Sequence, residues 1–204
     1  VKHVVVSELA GRSNIEIKLQ EEGLSADLPK GRVRELLRLI KDRENRGFQY
    51  EGAEASFRLL VQRALPNYSP PFELVDFMVV MEKRRRQGRS NADNESLCEA
   101  MVKIAVDGEI KHTVAEGNGP VNALDKALRK GLLEFYPQLQ DVELIDYKVR
   151  VVPQGPGGTG AIVRVLVESA VGDRLWGTVG ASTDIIEASW QALADSLEFA
   201  LLER

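Results

Sequence analysis

An internal repeat constrains this chain more than any other feature. The run Thr113-Val-Ala-Glu-Gly-Asn-Gly-Pro-Val-Asn-Ala-Leu-Asp-Lys-Ala-Leu128 returns at Thr178 as Thr-Val-Gly-Ala-Ser-Thr-Asp-Ile-Ile-Glu-Ala-Ser-Trp-Gln-Ala-Leu193. At a spacing of 65 residues, Thr113/Thr178, Val114/Val179, Ala123/Ala188, Ala127/Ala192 and Leu128/Leu193 pair without a gap. Upstream, Glu73-Leu-Val-Asp-Phe77 is echoed by Glu143-Leu-Ile-Asp-Tyr147 at a spacing of 70, so the first copy holds five extra residues between its opening strand and its Thr-Val step. A tandem duplication of this length predicts two like units related by a pseudo-twofold axis.

Period counting gives the parts of each unit as strand, strand, strand, helix. In the first, strands are expected at 73–82, 97–106 and 110–115; Ala100, Val102, Ile104 and Val106 alternate with polar Lys103 and Asp107, the pattern of a half-buried strand. The helix that follows places Val121, Leu124, Leu128, Leu132 and Phe135 on one apolar stripe. The second unit repeats this with strands at 143–152, 161–168 and 175–179 and a helix carrying Ile186, Leu193, Leu197 and Leu201 on one face.

Ahead of the repeat, 4–7 reads as a short strand. Ser13-Asn-Ile-Glu16 is a capping box that starts a helix running to about Glu22. Two further helices are expected at 31–46 and 51–65, with Val33, Leu36, Leu37 and Ile40 facing inward on the first, and Ala55, Leu59 and Gln62 beside Phe57 and Leu60 on the second. Asn67-Tyr-Ser-Pro-Pro71 reads as a stiff connection and places the domain boundary there. The fold class is therefore α+β: a helical subdomain over 1–69, then a duplicated βββα domain over 70–204, divided into 70–138 and 139–204.

Composition bounds the function. The chain has 204 residues, 44% hydrophobic and 28% charged, enough to build real cores. A net charge of -4 and a pI near 5.4 argue against a nucleic-acid or anionic-membrane partner, and the basic run at 83–86 reads as a solvated loop. The single cysteine, Cys98, fits a reducing compartment, and the cytoplasm is the expected location; no apolar run is long enough to span a bilayer. The first residues already read as strand without a starting methionine, the layout of a piece cut from something longer.

No catalytic constellation assembles. His3 and His112 lie apart without metal-ligand spacing, Cys98 has no partner for thiolate chemistry, and Ser13 and Arg12 read as a cap and a surface charge or anion contact. Gln154-Gly-Pro-Gly-Gly-Thr-Gly160 joins two strands and lacks the Lys-Ser/Thr ending of a phosphate loop. The best binding feature is the turn Gly117-Asn-Gly-Pro120, where uncapped amides at a helix start suit a carboxylate; a plain tight turn is the competing reading. In the second unit Ser182, Thr183 and Asp184 occupy the equivalent positions, so side chains would cap that helix.

Ser7-Glu-Leu-Ala-Gly-Arg-Ser-Asn14, Gly117-Asn-Gly-Pro120 with Ala123, Leu144-Ile-Asp-Tyr147, and Trp176-Gly-Thr-Val-Gly180 followed by Ile186-Glu-Ala-Ser-Trp190 together resemble the C-terminal half of the α-isopropylmalate synthase and citramalate synthase family, the citramalate branch more closely. The resemblance implies a linker followed by a regulatory domain of two βββα units that forms a homodimer. It implies feedback inhibition by a branched-chain amino acid, isoleucine or leucine, acting on an acetyl-CoA:2-oxo acid condensing synthase. That enzyme's (β/α)8 barrel, divalent metal and acetyl-CoA site would lie outside this chain, which would carry no cofactor and be inactive alone. Carried over by position, the effector site comprises Gly117, Asn118, Gly119, Val121 and Asn122 in the first unit. In the second it comprises Leu144, Tyr147, Val151, Ala161, Thr183, Asp184 and Ile185.

Overall fold

The computed structural model describes residues 19–20, 32–83, 96–152 and 161–202, the side chains of Lys83 and Ser96 excepted. The expected strand at 4–7, Arg12, the Ser13/Glu16 capping box, the basic side chains at 83–86 and the glycine-rich loop at 154–160 lie outside the described residues. In chain order the elements are α1 (Arg32–Asn45), α2 (Glu54–Gln62), β1 (Glu73–Lys83), β2 (Ser96–Val106), β3 (Glu109–Gly117), α3 (Pro120–Leu132), a 3-10 turn (Pro137–Asp141), β4 (Glu143–Val152), β5 (Ile162–Val171), β6 (Arg174–Ser182) and α4 (Ile185–Leu202). The fold is α+β with a duplicated βββα pattern. Two compact units form, one of Pro70–Val142 with Ala200–Arg204, the other of Val1–Ser69 with Glu143–Phe199.

The first unit holds the antiparallel sheet β1-β2-β3, with α3 against one face. Ala100, Val102, Ile104 and Val106 point to that face and are buried, as their alternation requires. The buried side of α3 keeps the middle of the predicted stripe, Leu124, Leu128 and Leu132, and departs from it at both ends. Ala123, Leu124, Ala127, Leu128, Gly131 and Leu132 are buried, Val121 is half-buried, and Phe135 falls beyond the helix end. Small residues let the helix backbone lie close to the sheet: a Cβ on Gly131 would meet the Ile104 side chain at 3.1 Å. Arg129 pairs with Asp125 one turn earlier and donates from Nη1 to the carbonyl of Val142 at 2.8 Å, fixing the exit from the 3-10 turn.

The second unit repeats the scheme with sheet β4-β5-β6 and α4. The duplication reaches individual bonds. Thr113 donates to the Ala127 carbonyl at 2.6 Å and Thr178 to the Ala192 carbonyl at 2.7 Å, each tying a third strand to its helix. Register shifts at Leu74/Asp76 and at Leu144/Asp146 mark the same irregularity in both opening strands. As in α3, small residues carry the contact of α4: Ala188, Ala192 and Ser196 are buried with Leu193 and Leu197, whereas Ile186 is half-buried. Ser196 accepts from the Trp176 indole at 3.1 Å and donates to Ser169 at 2.7 Å, so the polar groups in this interface are paired.

The other face of this sheet is covered by the helical segment. Leu19, Leu36, Ile40, Phe57 and Val61 share one core with Ile162, Val179 and Ala181. Two small features of β6 permit it. Gly177 lies so close to the Gly52 carbonyl that a Cβ would collide with the backbone, and Val179 donates its N–H to Ser56 Oγ at 3.0 Å. Gly177 corresponds in the repeat to exposed His112, and Val179 to exposed Val114. The equivalent face of the first sheet accordingly exposes Met78 and Val80, each 50% accessible. Gly177→Ala is expected to cost about 1–3 kcal/mol through overpacking, and His112→Ala less than about 0.5 kcal/mol. Urea unfolding of the two variants checks the contrast.

Candidate functional site

In the first unit the predicted residues gather at the β3–α3 turn. Gly117 ends the strand where a side chain would run into the backbone of Ala123, so glycine is needed for the strand to pass beneath the helix start. Gly119 is the N-cap, with an extended backbone and no side chain to cap with, and Pro120 follows in the first turn. The Asn118 amide donates to Asn122 Oδ1 at 3.2 Å, which closes the turn from within. Val121 is half-buried and Asn122 exposed. The first-turn amides of α3 therefore receive no side-chain cap from Gly119.

In the second unit the helix start is capped. Asp184 Oδ1 accepts from Ile186 N at 2.7 Å and from Glu187 N at 3.4 Å, and Ser182 Oγ accepts from Asp184 N at 3.1 Å. Tyr147 and Ser189 join their hydroxyls at 2.7 Å, and Ser189 donates to the Ile185 carbonyl at 2.6 Å, so the aromatic ring is tied to the first turn of α4. Val151 pairs with Val163, which pairs with Ser182, putting Val151 in the row that leads to Thr183. Ala161 is half-buried just before β5. Leu144 stands at the far end of β4, in the row Leu144–Ser169–Trp176, beside the later turns of α4. Tyr147, Val151, Thr183, Asp184 and Ile185 thus share one end of the second unit.

Sequence reasoning missed a network that fastens α2 to α4. Arg63 donates from Nη2 to Asp195 at 2.7 Å and to Glu198 at 2.5 Å, and from Nε to Glu198 at 3.1 Å. Ser56 donates to the other oxygen of Asp195 at 2.7 Å, and the Tyr68 hydroxyl donates to Glu198. Burial pushes the Asp195 carboxyl up, against the opposing pull of Arg63 and Ser56. Burial pulls the Arg63 guanidinium down, but its two carboxylates prevail and raise it. The signal available in the sequence was a pair of acids, Asp195 and Glu198, three residues apart in the largely apolar second half of α4.

Among the described residues no group of three or more His, Cys, Asp or Glu side chains could hold a metal ion. Nor is any helix of the described residues long and apolar enough to cross a membrane.

The model of the LeuA allosteric (dimerisation) domain matches residues 51–201. The chain belongs to that family. The match takes in α2 and both βββα repeats and leaves out α1, although α1 shares the core of the second unit. The chain is 51% identical over 97% of its length to an (R)-citramalate synthase of Geobacter sulfurreducens, covering 36% of that protein. It is 45% identical over 99% of its length to an (R)-citramalate synthase of Aquifex aeolicus, covering 37%, and 45% identical over 98% to one of Synechocystis, covering 36%. The chain thus spans about a third of the length of the curated relatives it matches. Membership of a dimerisation-domain family points to a homodimer, and apolar side chains are left exposed on β1 and β4.

Proposed function

We propose that this chain is the regulatory, homodimer-forming part of a citramalate synthase, and that a branched-chain amino acid, isoleucine ahead of leucine, binds it to inhibit condensation of acetyl-CoA with a 2-oxo acid. The observation that carries the reading is the grouping beside the start of α4. Tyr147 and Val151 offer an aliphatic side chain one aromatic and one branched wall, next to Thr183, Asp184 and Ile185. The uncapped α3 amides after Gly117, Asn118 and Gly119, flanked by Val121 and Asn122, suit a carboxylate. Leu144 and Ala161 belong to the same proposal by position. An effector acts by binding one conformational state more tightly than another, and the helical segment, tied to α4 through Arg63, is the element through which that preference leaves the domain.

Calorimetric titration with isoleucine, leucine and valine tests this. Saturable, selective binding is expected, weakened at least ~10-fold in Tyr147→Ala and only ~5-fold or less in Tyr147→Phe, which keeps the ring and gives up one hydrogen bond. A second reading, that the domain only assembles dimers, is favoured by the exposed apolar residues Met78, Val80, Met81, Val149 and Val151. Failure of all three amino acids to bind a folded dimer would leave that reading standing. Turnover of acetyl-CoA and pyruvate by the chain alone would overturn its assignment as a non-catalytic part.

A further inference from the structure

The second unit contains a cleft of about 420 Å³ between the α1–α2 connection and strands β4 and β5. Its size falls within the range of small-ligand sites, roughly 300–1,000 Å³. Strand alternation puts Lys148 and Arg150 on the face of β4 opposite Tyr147 and Val151, so the cleft is separate from the aliphatic grouping beside α4.

The two ends of the cleft differ in charge. At one end Arg150 and Arg164 are direct partners across β4 and β5, a like-charge placement that costs stability. Among the described residues neither guanidinium ion-pairs with a carboxylate. At the other end Asp146 partners Glu168, with Lys148 neutralising Asp146 from within the strand. Arg164 is not free to move away from Arg150. Arg164 donates from Nε to the Gly47 carbonyl and from Nη1 to Gln49 Oε1, both at 2.5 Å, and Gln49 in turn donates to Glu51 at 3.1 Å. This chain of bonds holds one guanidinium against its like-charged neighbour. Burial and the Arg150 charge together depress the Arg164 guanidinium. Among the described residues, two of the five N–H groups of Arg164 are engaged, and no hydrogen bond of Arg150 competes with an incoming acceptor.

We propose that Arg150 and Arg164 form a binding site for a small metabolite with one oxyanion head, a carboxylate or a phosphate. Two guanidinium forks can take such a head with paired hydrogen bonds, and its charge removes the repulsion between them. Glu168 at the far end excludes a second anionic group and suits a ligand whose other end donates hydrogen bonds, while Glu51, held by Gln49, borders the arginine end and limits the head to a single anionic group. Because Arg164 also holds Gly47 and Gln49, occupancy would stabilise the α1–α2 connection on the sheet.

The test titrates the chain calorimetrically with lactate and, separately, with inorganic phosphate at constant ionic strength. Saturable binding of at least one is expected, and the tighter of the two names the head group. Arg150→Gln should weaken it at least ~10-fold. Because Arg150 is exposed and in a repulsive pair, the same variant should melt no lower than the parent in anion-free buffer. Tyr147→Ala should leave anion binding unchanged, which separates this site from any amino-acid site. Absence of saturable binding by both probes, equal binding by Arg150→Gln, or a lower melting point for that variant without anion would each overturn the proposal.

Discussion

Phe57→Ala is expected to destabilise the second unit by about 3–5 kcal/mol, the range for deleting a fully buried aromatic ring. Phe57 is wholly inaccessible and meets Tyr50 edge-on, with ring centroids 5.8 Å apart and planes inclined by 69°. Its core contains Leu36 and Ile40 from α1, Val61 from α2, Ile162 from β5 and Val179 from β6. A cavity at this point removes contacts from the helices and the sheet together. Amide hydrogen exchange should therefore show α1, α2, β5 and β6 losing protection in step. Accelerated exchange confined to α1 and α2, with β5 and β6 unchanged, would show the helices to be a weakly docked appendage.

How the helical segment packs was the part of the fold least legible in the sequence. The repeat itself was readable because Thr113 and Thr178 recur with their helices at fixed spacing, and the same spacing reappears as the same hydrogen bond. Burial of Ala100, Val102 and Ile104 followed from alternation alone. The helix faces followed only in part: Leu124, Leu128 and Leu132 on α3 and Leu193 and Leu197 on α4 are buried as their spacing requires, but the close approach made by Ala123, Ala127 and Gly131 and by Ala188 and Ala192 was not read from it. Counting only bulky side chains rotates the expected stripe toward Val121 and Phe135. The choice of one sheet face over the other rests on Gly177 standing where the first copy has His112. A single glycine in a strand carries no signal of what approaches it.

The candidate site shows the same division. The unequal helix starts were legible: Gly119 offers no cap, and Asp184 caps as its residue type implies. Tyr147 was named from its position, but its tie to Ile185 through Ser189 depends on register and helix phase, which a sequence read in one dimension does not supply. The Arg150–Arg164 pair depends on register too. The two residues are fourteen positions apart and become neighbours only when β4 and β5 close with Val152 opposite Ile162.

Arg63→Ala should remove about 2–3 kcal/mol at neutral pH, and the loss should shrink in acid. The full range for breaking a buried pair is about 3–5 kcal/mol; the smaller figure allows for screening, because 35% of the Arg63 side chain meets solvent. Its partners are less accessible, Asp195 at 14% and Glu198 at 5%, so the variant leaves two carboxylates close together with little water. Burial already raises the Asp195 carboxyl, and loss of the Arg63 charge raises it further. A carboxyl whose folded value lies above its unfolded value favours the fold at low pH, and that contribution disappears as pH rises through the folded value. The variant is thus weakest near neutrality and recovers as Asp195 takes up a proton, between neutrality and the ordinary carboxylate range. Urea unfolding of parent and variant at pH 7 and pH 5 measures the difference. An equal loss at both would mean that Arg63 contributes through the packing of its stem and not through its charge. In that case the hold of α2 on α4 would be independent of pH, and Ser56, bridging Asp195 and the Val179 amide, would be its principal polar link.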